Sequence, residues 1–109
     1  VKESPQWLKD KLAVIGQKSI NNVVDIANYI MFDLGQPLHA FDYDKVSKEK
    51  IIVRYGNKNE KFITLDGVER KLKEDDLMIC DGENKPMCIA GVFGGENSGV
   101  TKKTKTIFL

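Results

Sequence analysis

The first third of the chain carries apolar residues at the spacing of a helix. These residues follow the i, i+4, i+7 pattern of one helical face, at Leu8, Leu12 and Ile15. Ser4 and Pro5 provide an N-cap and a first-turn proline, and Gly16 provides a left-handed stop. We therefore predict a first helix from about Pro5 to Ile15.

A second helix is predicted between an asparagine cap and a glycine stop. Asn21 or Asn22 caps it, Asp25 lies in its first turn near the positive end of the dipole, and Gly35 terminates it. Its expected apolar stripe consists of Val23, Ile26, Ala27, Ile30 and Leu34. Asn28 leans toward that apolar side, where an amide without a hydrogen-bond partner costs about 1 to 3 kcal/mol.

From Lys50 onward the apolar period changes from 3.6 to 2, which is typical of strands. The strand candidates are Ile51–Tyr55, Lys61–Leu65, Val68–Leu72, Leu77–Cys80 and the final run Ile107–Leu109. Asp66–Gly67 is the strongest hairpin signal between them. The pattern favours an α+β fold, in which two N-terminal helices precede a largely antiparallel β-sheet built from hairpins.

Composition limits the class of protein. The chain has 109 residues with 17 basic and 16 acidic side chains, which argues against a disordered tail or a strongly basic nucleic-acid arm. No apolar run approaches the ~20 residues that cross a bilayer, and no signal peptide is recognisable. We expect one domain over residues 1–109, a cytoplasmic location and no membrane partner.

The chain starts at Val1 and stops inside an apolar run, so we expect it to be a fragment of a longer chain. Cys80 and Cys88 lie in sequence typical of strands, with only one histidine available to join them. Zinc coordination is therefore not indicated, and we expect both thiols to be small core residues, with a disulfide as the alternative.

Two segments carry candidate chemistry. His39 follows the second helix in a loop stiffened by Pro37, and it is either an acid/base group in a pocket or a packed histidine. The segment 90–99 has four glycines, which either let exposed backbone amides bind a carboxylate or ester oxygen or form a bulged, tightly turning strand. Neither segment contains a Walker or dinucleotide motif.

Other charged clusters have simpler explanations. Asp42 with Asp44, and Asp75 with Asp76, are expected to be solvated or turn-forming carboxylates. The run of lysines in 102–105 either contacts phosphate or forms a solvated face. No nucleophile stands beside His39 in a recognisable pattern, so covalent catalysis is not indicated.

Taken together and in order, five segments resemble those of one family. They are Ser4–Leu8, Ser19–Tyr29, Leu34–Asp42, Thr64–Gly67 and Ile89–Gly95. The chain is similar, over nearly all its length, to the editing domain in the β subunit of bacterial phenylalanyl-tRNA synthetase. The resemblance implies hydrolysis of tyrosine wrongly esterified to tRNA(Phe).

The resemblance also implies site residues. His39 matches a histidine near the scissile ester, Pro37 matches the proline of the same loop, and Asn28 matches an asparagine on the preceding helix. Ala90, Gly91 and Gly94 match a glycine-rich wall along which the amino acid lies. The mechanism expected is attack by a water that His39 positions, aided by backbone amides of the glycine segment and with no metal in this domain.

Three departures from the family pattern stand out. Lys18 replaces the usual arginine, which keeps the charge for a contact to tRNA but loses the bidentate fork. Ala27 replaces the usual threonine, and the glutamate expected to recognise the tyrosine hydroxyl would follow Leu109. These departures leave open an alternative function as a non-catalytic tRNA-binding or structural module.

For the whole synthetase, the resemblance implies further partners. They are tRNA(Phe), an α subunit in an α2β2 heterotetramer, and ATP with Mg²⁺ for phenylalanine activation. Nothing in residues 1–109 binds ATP or Mg²⁺ recognisably.

Overall fold

A computed structural model describes residues 1–109, and it has the predicted α+β architecture. The helices are α1 (Gln6–Val14) and α2 (Asn22–Leu34). The strands are β1 (Phe41–Asp42), β2 (Ile52–Tyr55), β3 (Lys61–Ile63), β4 (Glu69–Lys71), β5 (Leu77–Cys80), β6 (Pro86–Ile89), β7 (Phe93–Gly94) and β8 (Ile107–Phe108). Neither helix combines the length and apolar character that crossing a bilayer requires.

The strands form one four-stranded sheet and two antiparallel pairs. The larger sheet has the order β2-β5-β6-β7, β3 pairs with β4 through the predicted Asp66–Gly67 turn, and β1 pairs with β8. In the last pair Phe41 lies opposite Phe108, so the C-terminal end of the chain returns to the loop that follows α2.

Packing on the two faces of the sheet forms two small cores. Met78 and Cys80 lie on one face with Phe62 and Leu72, while Cys88 on the other face packs with a cluster that includes Phe41. Both cysteines are free and buried, which confirms their prediction as core residues. Burial raises the pKa of the Cys88 thiol to about 11, so this thiol is protonated at neutral pH.

Helix ends follow the sequence signals with one exception. The Asn21 side chain accepts hydrogen bonds from the N–H groups of Val23 and Val24, and Gly35 is left-handed, so both ends of α2 are confirmed. The prediction that Ser4 caps α1 is wrong, because Pro5 occupies the cap position and the Ser4 hydroxyl donates to Asp25 instead.

Asp25 ties the segment between the two helices to α2. Its carboxylate also accepts from the Ser19 hydroxyl at 2.5 Å and from the Ile20 N–H at 2.8 Å. Burial acts to raise the pKa of Asp25, but hydrogen bonds from Ser19, Ser4 and the backbone outweigh it and hold that pKa below its usual value. The loop before α2 is therefore held in one position by a buried charge.

The predicted apolar stripe of α2 is wrong in part. Ile26 is 48% exposed and Leu34 is 73% exposed, whereas Asp25 and Ala27 are the buried residues of the helix. The cause is the position of α2 at the edge of the fold, where it packs on α1 along one side and lines a cavity along another.

Asp42 also departs from the prediction, because it is buried and not solvated. Its Oδ2 atom accepts a hydrogen bond from the Thr104 hydroxyl at 2.7 Å, while Oδ1 has no partner. Asp42 thereby fastens the loop of residues 101–105 to strand β1, a contact between residues 62 positions apart that local sequence cannot reveal.

Candidate functional site

Two cavities flank the loop that carries His39. The helix-side cavity, of about 410 Å³, lies between that loop and α2, and Asn21, Ala27 and Asn28 belong to its wall. The sheet-side groove, of about 530 Å³, lies between the same loop and the four-stranded sheet. Its apolar wall includes Val53, Ile79, Cys88, Phe108 and Leu109.

A thin partition separates the two cavities. It consists of Leu38 and His39 on one side and Val92–Gly94 on the other, and these residues line both cavities. A Cβ atom added at Gly94 would lie 2.6 Å from the His39 Cε1 atom and 2.9 Å from the Leu65 Cδ1 atom. Only glycine therefore permits the two halves of the partition to meet here.

His39 is held as a neutral side chain. Its ring packs edge-on against Phe41 at 4.7 Å between centroids, and its Nε2 atom is buried without a hydrogen-bond partner. Burial lowers the pKa of His39 below its ordinary value of 6.5, because it disfavours the imidazolium form. At neutral pH the side chain can therefore accept a proton or a hydrogen bond.

The β3–β4 hairpin holds the Val92–Gly94 side of the partition in place. The Leu65 N–H donates to the Gly94 carbonyl oxygen at 3.0 Å, which places the Leu65 side chain against the partition. The turn is braced by an ion pair of 2.9 Å between Arg70 and Asp66, and the Arg70 guanidinium lies over the Phe93 ring at 5.9 Å.

Leu65 is a lining residue that the sequence analysis did not identify. It ends the predicted strand Lys61–Leu65 and belongs to the segment Thr64–Gly67, whose hairpin turn and family resemblance give it no role in the site. Its side chain is 53% exposed, and its place in a predicted strand does not indicate that it lines a cavity. The one sequence feature that points to Leu65 is the predicted hairpin, because its turn lies beside the partition.

Four N–H groups of the glycine-rich segment are already occupied. Those of Ala90, Val92, Gly95 and Glu96 donate to backbone carbonyls at 2.7 to 3.1 Å. The N–H of Gly91 makes no such bond and lies at a left-handed turn with φ of 70° on the rim of the sheet-side groove. The Gly91 amide is therefore available to a ligand oxygen at the rim of the groove, while the residues on either side of it form a closely packed turn and strand.

The structure brings together some of the sequence-predicted site residues and separates others. Asn28, His39 and Gly94 line the helix-side cavity, whereas Pro37, Gly91 and again His39 and Gly94 line the sheet-side groove. Ala90 and Lys18 line neither cavity. Lys18 is exposed two residues before Ile20, which does belong to the helix-side wall.

Comparison with known proteins identifies the family. The B3/4 domain family matches residues 1–109 of this chain. Among curated proteins, the chain is similar to phenylalanine–tRNA ligase beta subunits of Porphyromonas gingivalis, with 55% identity, and of Bacteroides fragilis, with 58% identity. Each alignment covers 100% of this chain and 13% of the relative, so the chain spans a small part of those proteins.

A solved structure shares the fold. It is a crystal structure of an N-terminal fragment of the phenylalanyl-tRNA synthetase beta subunit from Pyrococcus horikoshii. The match has a TM-score of 0.67 and 20% sequence identity, and it covers 79% of this chain and 32% of the other. With a family match over every residue, the chain belongs to the B3/4 domain family, in the form found in the beta subunits of phenylalanine–tRNA ligases.

Proposed function

We propose that this domain forms the editing site of a phenylalanine–tRNA ligase and hydrolyses tyrosyl-tRNA(Phe). The whole-chain similarity to beta subunits of that ligase supports the assignment to the synthetase. The observation that carries the editing assignment is the partition, because it places a neutral His39 between two mainly apolar cavities, of which only the helix-side one has asparagines in its wall.

Two cavities that meet at one histidine suit a substrate with two unlike halves joined by an ester. The tyrosyl side chain fits the sheet-side groove, whose wall is mainly apolar. The terminal adenosine of the tRNA fits the helix-side cavity, where the Asn28 amide and the buried Asn21 lie at the wall. In this arrangement the ester carbonyl lies beside His39, at the partition.

The reaction is the addition of water to the ester carbonyl. His39 accepts a proton from the attacking water as the new carbon–oxygen bond forms, and the Gly91 N–H donates to the oxyanion that develops. The tetrahedral intermediate then expels the ribose oxygen, which receives the proton from His39. The products are free tyrosine and tRNA with an intact terminal hydroxyl.

Editing is the step at which the tyrosine hydroxyl is best recognised. A hydrophobic pocket shaped for phenylalanine rejects the added hydroxyl only about a hundredfold, whereas a site that hydrogen-bonds this hydroxyl discriminates by about ten-thousandfold. The glutamate expected directly after Leu109 would emerge from the wall of the sheet-side groove, where the hydroxyl would lie.

The cofactors expected of the complete ligase take no part in the hydrolysis proposed for this domain. No group of three or more His, Cys, Asp or Glu side chains is arranged to hold a metal ion. By the family resemblance, ATP and Mg²⁺ belong to the proposed activity of the full synthetase, with an α subunit in an α2β2 assembly.

A second candidate is a binding module that no longer hydrolyses the ester. The observation in its favour is that no side chain hydrogen-bonds to the His39 ring. A typical acid/base site has such a group, which orients the base. Here packing against Phe41 and Gly94 orients the ring instead of a hydrogen bond. Hydrolysis is therefore the better-supported function.

The test is deacylation of tyrosyl-tRNA(Phe) by the intact synthetase. Replacement His39→Ala is expected to slow release of tyrosine at least a hundredfold, since general acid–base catalysis contributes about 10² to 10⁴. Charging with phenylalanine serves as the control and should be unchanged. Hydrolysis at the normal rate by His39→Ala would contradict the proposal, and absence of hydrolysis by the unaltered enzyme would favour the binding module.

A further inference from the structure

The helix-side cavity is bordered by lysines that lack acidic partners. Gly99 and Val100 line this cavity, and the loop of residues 101–105 that follows them carries Lys102, Lys103 and Lys105. All three lysines are exposed, and none lies within 4.0 Å of a carboxylate. Because Lys102 is only two residues beyond Val100, its Cα lies within about 7 Å of the cavity wall.

The loop that presents these lysines is ordered by other side chains. The Thr101 N–H donates to the Thr104 Oγ1 atom at 2.9 Å, and the Lys103 N–H donates to the Thr101 Oγ1 atom at 3.3 Å. The Thr104 hydroxyl in turn donates to the buried Asp42 carboxylate. The lysine side chains make none of these bonds, so their positive charges are free while the backbone that carries them is fixed.

A fourth lysine joins the same border from the N-terminal segment. The backbone of Lys2 exchanges two hydrogen bonds of 2.9 Å with Asn22, the neighbour of the cavity-lining Asn21. The nitrogen of Val1 also donates to the Thr104 carbonyl oxygen at 3.3 Å, which joins this segment to the 101–105 loop. Lys2 is exposed and has no acidic partner.

We propose that Lys102, Lys103 and Lys2 form a phosphate-binding rim that guides a single-stranded RNA end into the helix-side cavity. This inference rests on the proposed function, which places the terminal adenosine there. Phosphate contacts by lysine hold a nucleic acid in position without reading its sequence. A lysine rim at this cavity therefore complements contacts to the base inside it. Because the chain as a whole is close to neutral, these unpaired lysines form a local excess of positive charge.

The experiment uses the complete synthetase and a short labelled RNA oligonucleotide ending in CCA. For the double variant Lys102→Gln/Lys103→Gln, we expect binding about tenfold weaker than for the unaltered enzyme at low salt. The slope of log affinity against log salt should fall by about 1.4, since each contact to single-stranded phosphate contributes about 0.7.

A matched control removes equal charge elsewhere. Lys71 and Lys73 are exposed and unpaired, but they border a different cleft together with Glu74 and Asp75. The double variant Lys71→Gln/Lys73→Gln should leave affinity and salt slope unchanged. Equal losses in both double variants, no loss in either, or equal binding of a polyglutamate of the same length would each overturn the proposed rim.

The outcomes separate the rim from the editing proposal. His39→Ala should keep the salt slope of oligonucleotide binding, because the neutral His39 contributes no charge to the rim. If His39→Ala also hydrolyses normally while the lysine variant loses affinity, the rim stands and the assigned catalysis fails. If hydrolysis depends on His39 and the lysine variant binds normally, the rim fails and the editing site stands.

Discussion

The two cavities share one partition but differ in what surrounds them. Both walls are mainly apolar, but the helix-side cavity has two asparagines in its wall and unpaired lysines near it, whereas the sheet-side groove has the buried Cys88 thiol. The helix-side cavity thus adds amide hydrogen-bonding groups and nearby positive charge to its apolar surface. The difference indicates that a single ligand spanning the partition would place unlike groups on its two sides.

The largest effect is expected where the cavities meet. Replacement Gly94→Val places its side chain within 2.6 Å of the His39 position, so the ring must move and both cavities change shape. We expect hydrolysis of tyrosyl-tRNA(Phe) to fall at least about a hundredfold, since misplacement by about 1 Å has that effect in preorganised sites. Single-turnover deacylation by the intact synthetase measures it.

Gly99→Ala is the matched control for Gly94→Val. Gly99 also lines the helix-side cavity, but an added Cβ would meet the Leu65 side chain at an ordinary contact distance of 3.6 Å. This variant should retain hydrolysis within about twofold of normal. Equal damage from both glycine replacements would show that the partition has no special role.

A change confined to the sheet-side groove should affect recognition of the amino acid alone. Val53 lines this groove from strand β2, and Val53→Phe fills part of its volume. We expect hydrolysis of tyrosyl-tRNA to slow about tenfold, within the range that one or two methylene groups produce in an apolar pocket. Affinity for the deacylated tRNA, measured by filter binding, should not change.

Tyr55 provides the control for Val53, because it lies two residues further along the same strand, on the same face, but outside the groove. Tyr55→Trp should leave hydrolysis unaltered. If Val53→Phe instead weakened tRNA binding and spared the rate, the sheet-side groove would hold the nucleoside and the assignment of the two cavities would be reversed.

A change confined to the helix-side cavity should weaken substrate binding and leave the rate of hydrolysis nearly unchanged. Its effect should be smaller than that of Val53→Phe. Asn28→Ala removes one amide from the wall, and a hydrogen bond contributes about 1 kcal/mol, or about fivefold in affinity. We expect a fivefold higher KM for tyrosyl-tRNA with little change in kcat. Asn97→Ala, at an exposed asparagine outside this cavity, is the control, and a loss of kcat without change of KM would contradict the assignment.

The pH dependence should be slight near neutrality. Burial lowers the pKa of His39 below 6.5, so the neutral form of His39 predominates at pH 6.5 and above. Hydrolysis should therefore be within about twofold between pH 7.5 and 6.5 and should fall only at lower pH. A half-maximal rate at pH 6.5 or above would show that His39 is more solvated than the structure indicates.

The lowered pKa of His39 also determines how the folding stability depends on pH. The unfolded chain binds a proton at His39 near pH 6.5, whereas the folded chain binds it only at lower pH. Folding stability should therefore decrease as pH falls below 6.5 and stop decreasing once the folded form is also protonated. Thermal unfolding of the unaltered protein and of His39→Ala, measured across this pH range, separates the contribution of His39 from the contributions of other titrating groups.

Features defined by neighbouring residues were predictable from the sequence. The Asn21 cap, the left-handed Gly35 and the Asp66–Gly67 hairpin depend on backbone geometry within a few positions, and the structure confirms each. The strand Leu77–Cys80 has its predicted bounds, because alternate residues there face different cores. Periodicity and turn chemistry therefore suffice for the general α+β class.

Features set by contacts between distant segments were not predictable in the same way. Periodicity alone cannot show that β8 returns to β1, that Asp42 is buried beneath Thr104, or that Ile26 faces outward. Nor does it show that His39 and Gly94 meet, since 54 residues separate them in the chain and their contact requires the β3–β4 hairpin to hold the partition. The resemblance selected both residues, and only tertiary packing shows the division into two cavities.

The central claim is that one aminoacyl ester spans the partition, and a ligand-bound crystal structure tests it most directly. The ligand is an adenosine that carries tyrosine on its 3′ position through a non-hydrolysable amide, bound to the intact synthetase. We predict the tyrosyl ring in the sheet-side groove, the adenine in the helix-side cavity and the amide carbonyl beside His39. Binding of both groups within one cavity, or binding away from His39, would contradict the account.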